Sequence, residues 1–398
     1  MADEPMPLRT SLTEVSPIPQ KGIEIVDGIL KSGQLFRYGE TDGLSSQVSL
    51  LESELADCFG KKYAIAVNSG GSALFLALAS SGVKAGDCVM LNAFTLAPVP
   101  GAIFHAGGEV LLLDITSELT LDIESLRYAI ESSNSKVLLL SYMRGHIPNM
   151  DEIMKVVDEY DLLLIEDCAH VFGAKWKGQL LGTFGAASCF SFQTYKQLNG
   201  GEGGLILTDD ENLASKAILM SGSYMLFGQH HCRPSDEVFA KWKNLMPNYS
   251  MRLNEISAAA VRSQLPLLAK KLSDWNKIYS NISKGIEDIG GLRIPKQNPD
   301  IDSTPTSIQI IADFSTEQIE DAIFKAGGLG VNIKWFGTEA IGFTSTPKDW
   351  NYIDNITGLG NNIEIMEKLL DIRLPATLNE ADCSTIINII RYSFDGGN

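Results

Sequence analysis

Short runs of Val, Ile and Leu recur through the first half of the chain at regular spacing, and they constrain the fold more than any other feature. Seven of them read as strands: 63–67, 88–91, 109–114, 136–142, 162–166, 188–192 and 204–208. Continuous apolar runs of this length suit strands buried on both faces of a parallel sheet. Helical patterns fall between most of them, at 72–81, 98–106, 123–131 and 150–159, and an amphipathic helix at 48–59 precedes the first. Strand alternating with helix predicts an α/β fold: a three-layer αβα large domain around a seven-stranded, mostly parallel sheet. The stretch between 192 and 204 is glycine-rich and too short for a helical crossover. The seventh strand is therefore expected to run antiparallel to the sixth.

The second half has a different pattern. A long helix is expected at 253–271 and further helical structure at 274–286, then a strand at 307–311, a helix at 316–326, a strand at 330–334 and a final helix at 380–390. This reads as a smaller α+β domain. The chain of 398 residues divides into a large domain with an N-terminal extension, 1–255, and a small domain, 256–398.

Charge and residue usage narrow the function classes. The 32 Lys+Arg against 49 Asp+Glu leave a formal net charge of −17, and no basic stripe is present. That argues against a nucleic-acid partner and against docking on an anionic membrane surface. No run of about 18 apolar residues is found, and the acidic N-terminus lacks a basic, then apolar, leader. The six cysteines are scattered with no Cys-x-x-Cys pair, and the five histidines show no His-x-x-x-His spacing. A cytoplasmic protein with reduced thiols and no metal site is expected.

In open α/β sheets ligands bind beyond the carboxyl ends of the strands, so the residues following each strand come first. Asn68-Ser69-Gly70-Gly71-Ser72 follows the first strand and opens a helix, and Phe94-Thr95-Leu96 lies after the second. Arg144-Gly145-His146 follows the fourth, Asp167 and His170 the fifth, and Thr194-Tyr195-Lys196 the sixth. Small residues at a helix start present backbone N–H groups to a phosphate, though the same turn also serves as an ordinary N-cap. A carboxylate such as Asp167 can keep a ring nitrogen protonated, or simply cap a turn. His170 can contact a cofactor or sit satisfied in the core. A buried lysine loses its proton readily and can form a Schiff base, where most lysines are solvated. An aromatic ring, a carboxylate, a lysine and a phosphate turn on one edge are the equipment for an anionic, aromatic, carbonyl-bearing cofactor.

The Lys196 segment, Ser191-Phe192-Gln193-Thr194-Tyr195-Lys196-Gln197-Leu198-Asn199-Gly200-Gly201-Glu202-Gly203-Gly204, resembles the DegT/DnrJ/EryC1/StrS family of pyridoxal-phosphate aminotransferases of fold type I. The resemblance extends through Leu51-Glu52-Ser53-Glu54-Leu55-Ala56, the Asn68–Leu74 stretch, Glu166-Asp167-Cys168-Ala169-His170, Met251-Arg252-Leu253-Asn254-Glu255 and Arg373-Leu374-Pro375. It implies that Lys196 is the Schiff-base lysine and general acid/base. Asp167 would bind the pyridinium nitrogen and His170 the phenolic oxygen, while Ser191, Gly70, Gly71 and Ser72 would hold the phosphate. It also implies a homodimer with sites at the subunit interface, in which Asn248, or the nearby Ser250, reaches the neighbour's phosphate. The chain departs from the family at Leu96, where an aromatic usually covers the ring, so either Phe94 stacks instead or the ring face is aliphatic. Arg144 and His146 are unusual in their loop. With Tyr195 they are candidate substrate contacts, and Arg144 either grips a substrate carboxylate or phosphate or forms a structural salt bridge.

The expected function is transfer of an amino group from an amino acid, glutamate or glutamine, to a keto-sugar, keto-cyclitol or related biosynthetic intermediate. Pyridoxal 5′-phosphate would pass through pyridoxamine phosphate. The alternatives are a dehydratase or lyase on the same scaffold and a non-catalytic regulator. The family's sugar dehydratases carry His in place of the lysine, which Lys196 opposes. A regulator would not need both Lys196 and Asp167.

Overall fold

The computed structural model describes residues 4–38, 46–338, 346–353, 359 and 364–395. Helices α1 (Gln20–Ser32) and α2 (Gln47–Phe59) precede an alternation of β1 (Tyr63–Val67), α3 (Gly70–Ser81), β2 (Cys88–Asn92), α4 (Pro98–His105), β3 (Glu109–Leu113), α5 (Ile123–Ser133), β4 (Val137–Ser141), α6 (Met150–Tyr160) and β5 (Leu163–Asp167). A short hairpin, β6 (Lys175–Trp176) and β7 (Gln179–Leu180), leads to β8 (Ala187–Ser191) and β9 (Gly204–Thr208). Helices α7 (Glu211–Ser221), α8 (Asp236–Trp242), α9 (Glu255–Gln264) and α10 (Leu268–Glu287) follow. The C-terminal part adds β10 (Leu292–Arg293), β11 (Ile301–Asp302), β12 (Ser307–Ala312), α11 (Thr316–Gly328), β13 (Lys334–Trp335), α12 (Glu364–Glu367), β14 (Leu369–Arg373) and α13 (Glu380–Phe394).

The main sheet has seven strands in the order β1-β9-β8-β5-β4-β2-β3. Only β9 runs against the rest, paired antiparallel to both β1 and β8, as the short glycine-rich connection requires. Side chains alternate between two buried faces. Leu138 and Leu140 join Leu51, Leu55 and Phe190 on one face. Leu139 joins Leu74, Ile103 and Ile206 on the other. Helix starts are capped as their sequences suggest: Asp122 accepts from Ser125 N, Asn149 from Glu152 N, and Asn254 from Ser257 N.

The small sheet has the order β10-β12-β14-β13, with its own apolar core formed with α10, α11 and α13. The expected helix at 253–271 is in fact two. Pro266 lacks an N–H and cannot continue α9, so a 3-10 turn, Leu265–Leu267, intervenes before α10. The expected strand at 330–334 shrinks to Lys334–Trp335, and the central strand β14 was not foreseen. The N-terminal extension reaches the small sheet's helices: Leu8 N donates to Leu329 O at 2.8 Å and Thr10 Oγ1 to Asp382 at 3.0 Å. Among the described residues no helix is long and apolar enough to cross a membrane.

Candidate active site

The carboxyl ends of β1, β4, β5 and β8 surround a cavity of about 380 Å³. Ser69, Gly70, Gly71, Leu96, Asp167, His170, Ser191 and Lys196 all line it. At one end Ser69 caps α3, accepting from Ser72 N at 3.0 Å and leaving the other first-turn N–H groups directed outward. Close approach explains two glycines here. A Cβ on Gly70 would come within 2.9 Å of the Ser191 Cβ, and one on Gly204 would overlap the Ser69 carbonyl. Both glycines let the α3 start nest against β8 and β9.

Asp167 closes β5 as a buried carboxylate. Ser141 Oγ donates to its Oδ2 at 2.7 Å, Ala169 N to its Oδ1 at 3.1 Å, and Thr95 Oγ1 in turn holds Ser141 at 2.8 Å. Burial raises the carboxyl above its ordinary value, and these donors oppose the rise. A cation placed against it would complete its balance.

Lys196 stands on the connection between β8 and β9. Its Nζ lies 3.0 Å from His170 Nε2. Removal of the amine from water, reinforced by the nearby Arg144 and Arg373 charges, lowers its pKa to about 7. Burial, then the Lys196 charge, pushes the His170 imidazole well below its usual value. The backbone is also pinned: Gln197 Nε2 donates to His170 O at 2.8 Å and Thr304 O at 2.9 Å.

The remaining expected residues separate. Leu96 lines the cavity, whereas Phe94 turns fully into an apolar cluster with Ile115, Met143 and Phe336 and cannot stack on a ligand there. Ser72 donates its backbone N–H to the Ser69 cap and its Oγ accepts from Ser69 Oγ, so Ser72 is not among the cavity-lining residues. His146 is buried, its Nε2 lies 3.0 Å from Gln309 Oε1, and burial drops its pKa to about 4; it holds the small sheet rather than a ligand. Arg144 forms the structural salt bridge of the two alternatives, 2.6 Å to Asp371. Its φ of +56° is a left-handed conformation costing about 1–2 kcal/mol for a residue with a Cβ. Tyr195 lies outside this cavity, stacked under the Arg373 guanidinium at 3.5 Å. Asn248 is exposed, its side chain accepting from Ser250 N at 2.8 Å, and neither residue lines the cavity.

Sequence reasoning missed Ser141, although it ends β4 where the rule that found Asp167 applies, and it placed Thr95 after the second strand without giving it a role. It also missed Gln309 and Asp371, isolated polar residues on strands of the small sheet with no motif around them, and it quoted Arg373 for the resemblance without giving it a role.

The donor set fits pyridoxal phosphate. The glycine-lined helix start suits a phosphate, the buried Asp167 suits a cationic ring nitrogen, and the depressed amine of Lys196 suits a carbonyl carbon.

A model of the DegT/DnrJ/EryC1/StrS aminotransferase family matches residues 18–390. The spore coat polysaccharide biosynthesis protein SpsC of Bacillus subtilis is 32% identical over 283 residues, 70% of this chain and 69% of that protein. GDP-perosamine synthase of Escherichia coli O157:H7 is 27% identical over 274 residues, 69% of this chain and 71% of that protein. The structure of E. coli GDP-4-keto-6-deoxy-D-mannose-3-dehydratase with bound hydrated PLP superposes with a TM-score of 0.80 at 22% identity, covering 97% of this chain and 99% of that one.

Proposed function

The chain belongs to the DegT/DnrJ/EryC1/StrS aminotransferase family, whose cofactor is pyridoxal 5′-phosphate, and from that premise we propose its reaction. It moves an amino group from glutamate or glutamine to a keto group on a sugar, a cyclitol or a related biosynthetic intermediate. The observation that carries this reading is the meeting of Lys196, Asp167 and the α3 start in one cavity.

Bound pyridoxal phosphate supplies a carbonyl that captures amines and a ring that accepts electrons when a substrate carbon loses its proton. The α3 N–H groups and Ser191 would hold its phosphate. Asp167, which accepts from Ser141 and Ala169, would keep the ring nitrogen protonated. Lys196, with a pKa of about 7, is substantially neutral at neutral pH and can take a proton from the substrate carbon. His170 keeps that amine aimed into the cavity. The same residues would act in reverse order on the keto acceptor. A homodimer is part of the proposal: exposed Leu245 and Tyr249 flank Asn248, a surface fit to meet a second copy.

A dehydratase on this scaffold is disfavoured by Lys196, since that subgroup carries His at the position. Addition of glutamate to cofactor-loaded protein should produce pyridoxamine phosphate and 2-oxoglutarate. Lys196→Ala should abolish both that conversion and the visible absorption of lysine-bound cofactor. Intact conversion in Lys196→Ala, or no cofactor uptake by the unaltered protein, would overturn the proposal.

A further inference from the structure

Lys196 and His170 line the cavity, but the side chain that links them does not. Gln197 follows the lysine and is 1% exposed. Its Nε2 carries two protons and meets two carbonyls from different parts of the fold. One is His170 O at 2.8 Å, on the residue whose ring touches the Lys196 amine. The other is Thr304 O at 2.9 Å. Thr304 stands where the chain leaves β11, paired to β6 of the hairpin, and enters β12 of the small sheet. The main chain of Gln197 is held as well, its O accepting from Lys271 Nζ on α10 at 3.1 Å.

The amide has one workable orientation. Gln197 Oε1 is shut from water and has no hydrogen-bond partner among the described residues. Turning the amide over would set that oxygen against both carbonyls and leave the N–H groups without acceptors. Buried polar atoms almost always find partners, so an amide kept with its oxygen unmet is held there for its two N–H groups. The lysine stem is flexible, so the aim of its amine depends on what holds the ring it touches.

We propose that Gln197 is a positioning residue for amino transfer: by donating to the His170 and Thr304 carbonyls together, it fixes the Lys196 amine against the His170 ring and ties both to the small sheet. This rests on the aminotransferase reading. Gln197 acts through its two neighbours, without lining the cavity itself. With the amide in place, neither the imidazole nor the lysine loop can drift from the other. A misplacement of about 1 Å in such an arrangement costs on the order of a hundredfold in rate.

Gln197→Met keeps length and bulk and removes both donors. In single turnover with glutamate its rate constant should fall about tenfold to a hundredfold, with the half-saturating glutamate concentration changed by less than about twofold. Gln197→Glu supplies a rescue, because a neutral carboxyl can donate one of the two bonds and an ionised one neither. Its rate relative to the unaltered protein should rise as pH falls, while the same ratio for Gln197→Met stays flat. Gln197→Glu also carries the test if Gln197→Met fails to fold in melting curves.

A second readout needs no cofactor. Labelling of cofactor-free protein with an amine-reactive reagent, followed at the Lys196 peptide by mass spectrometry, reads the amine directly. Arg144, Asp167, Arg373, Asp371 and His170 act on or touch that amine and are the same in every variant. The labelling midpoint, about 7 in the unaltered protein, should move up towards 10.5 in Gln197→Met as the freed loop admits water. Gln264→Met is the control, since it loses the two bonds that hold Asn199 in the same loop. It should lower the melting temperature and leave the rate and the midpoint unchanged. Unchanged rates in Gln197→Met, a loss confined to glutamate affinity, or an equal midpoint shift in Gln264→Met would overturn the proposal. If no amino acid converts the cofactor on the unaltered protein, the aminotransferase reading fails, and the labelling midpoints still decide whether Gln197 positions Lys196.

Discussion

Ser141 and Asp167 face each other across the β4–β5 ladder, so a hydroxyl on one strand steadies a carboxylate on the next. Ser141→Ala removes one bond to a buried charge, worth about 1.5 kcal/mol. The half-reaction with glutamate should slow roughly tenfold, measured in single turnover with the cofactor still bound. Lys196 gives a second check at this scale. Its folded value of about 7 lies below the ordinary 10.5, so the neutral amine is already abundant at neutral pH. The rate of cofactor capture should rise through pH 7 and then level off, followed by stopped-flow absorbance. A rise continuing towards 10.5 would show the amine to be unperturbed. These residues were legible in sequence to different degrees. Lys196, Asp167 and His170 stood in a dense motif, and the structure gathers them. Phe94 and Leu96 could not be told apart, because both lie in the irregular turn after β2, where no strand or helix period says which side chain enters the core and which the cavity.

At the scale of elements, the contact of α3 with β9 is the tightest support of the site. Gly204→Ala would force a Cβ into the Ser69 carbonyl and push the α3 start away from Ser191. Overpacking of this kind costs about 1–3 kcal/mol, and here it also displaces the proposed phosphate cradle. The expected outcome is weaker cofactor binding by equilibrium titration, together with a lower melting temperature. The strands of the main sheet were readable because each is buried on both faces and carries an unbroken apolar run. The strand β14 was not, since its Leu369-Leu370-Asp371-Ile372-Arg373 sequence mixes core residues with the charges of the domain junction. The break at Pro266 was visible in the sequence, yet the helical pattern on both sides masked it.

Across the whole molecule, the N-terminal part is bound to the sheet by a buried charge network. Arg37 donates to both Glu52 oxygens at 2.8 Å, and Glu52 also accepts from Ala66 N and lies 3.3 Å from His230. Burial alone would raise the Glu52 carboxyl, but Arg37 outweighs it and holds the group well below the carboxylate range. The stabilisation is thus present above the usual carboxylate pKa and is lost only as pH falls far below it. Glu52→Gln leaves Arg37 buried without its counter-charge and should cost about 3–5 kcal/mol in urea unfolding at neutral pH. One further consequence follows from the place of β9 between β8 and β1. Ser191 pairs with Gly204 in a local hairpin, whereas Tyr63 pairs with Thr208 across most of the large domain's chain. The lysine hairpin closes a short loop, and the Ser69–Gly71 turn joins it only after a long one, so the two halves of the site form at different stages of folding. During refolding, helical signal should return before the ability to capture cofactor, which makes cofactor uptake a clock for the last step of assembly.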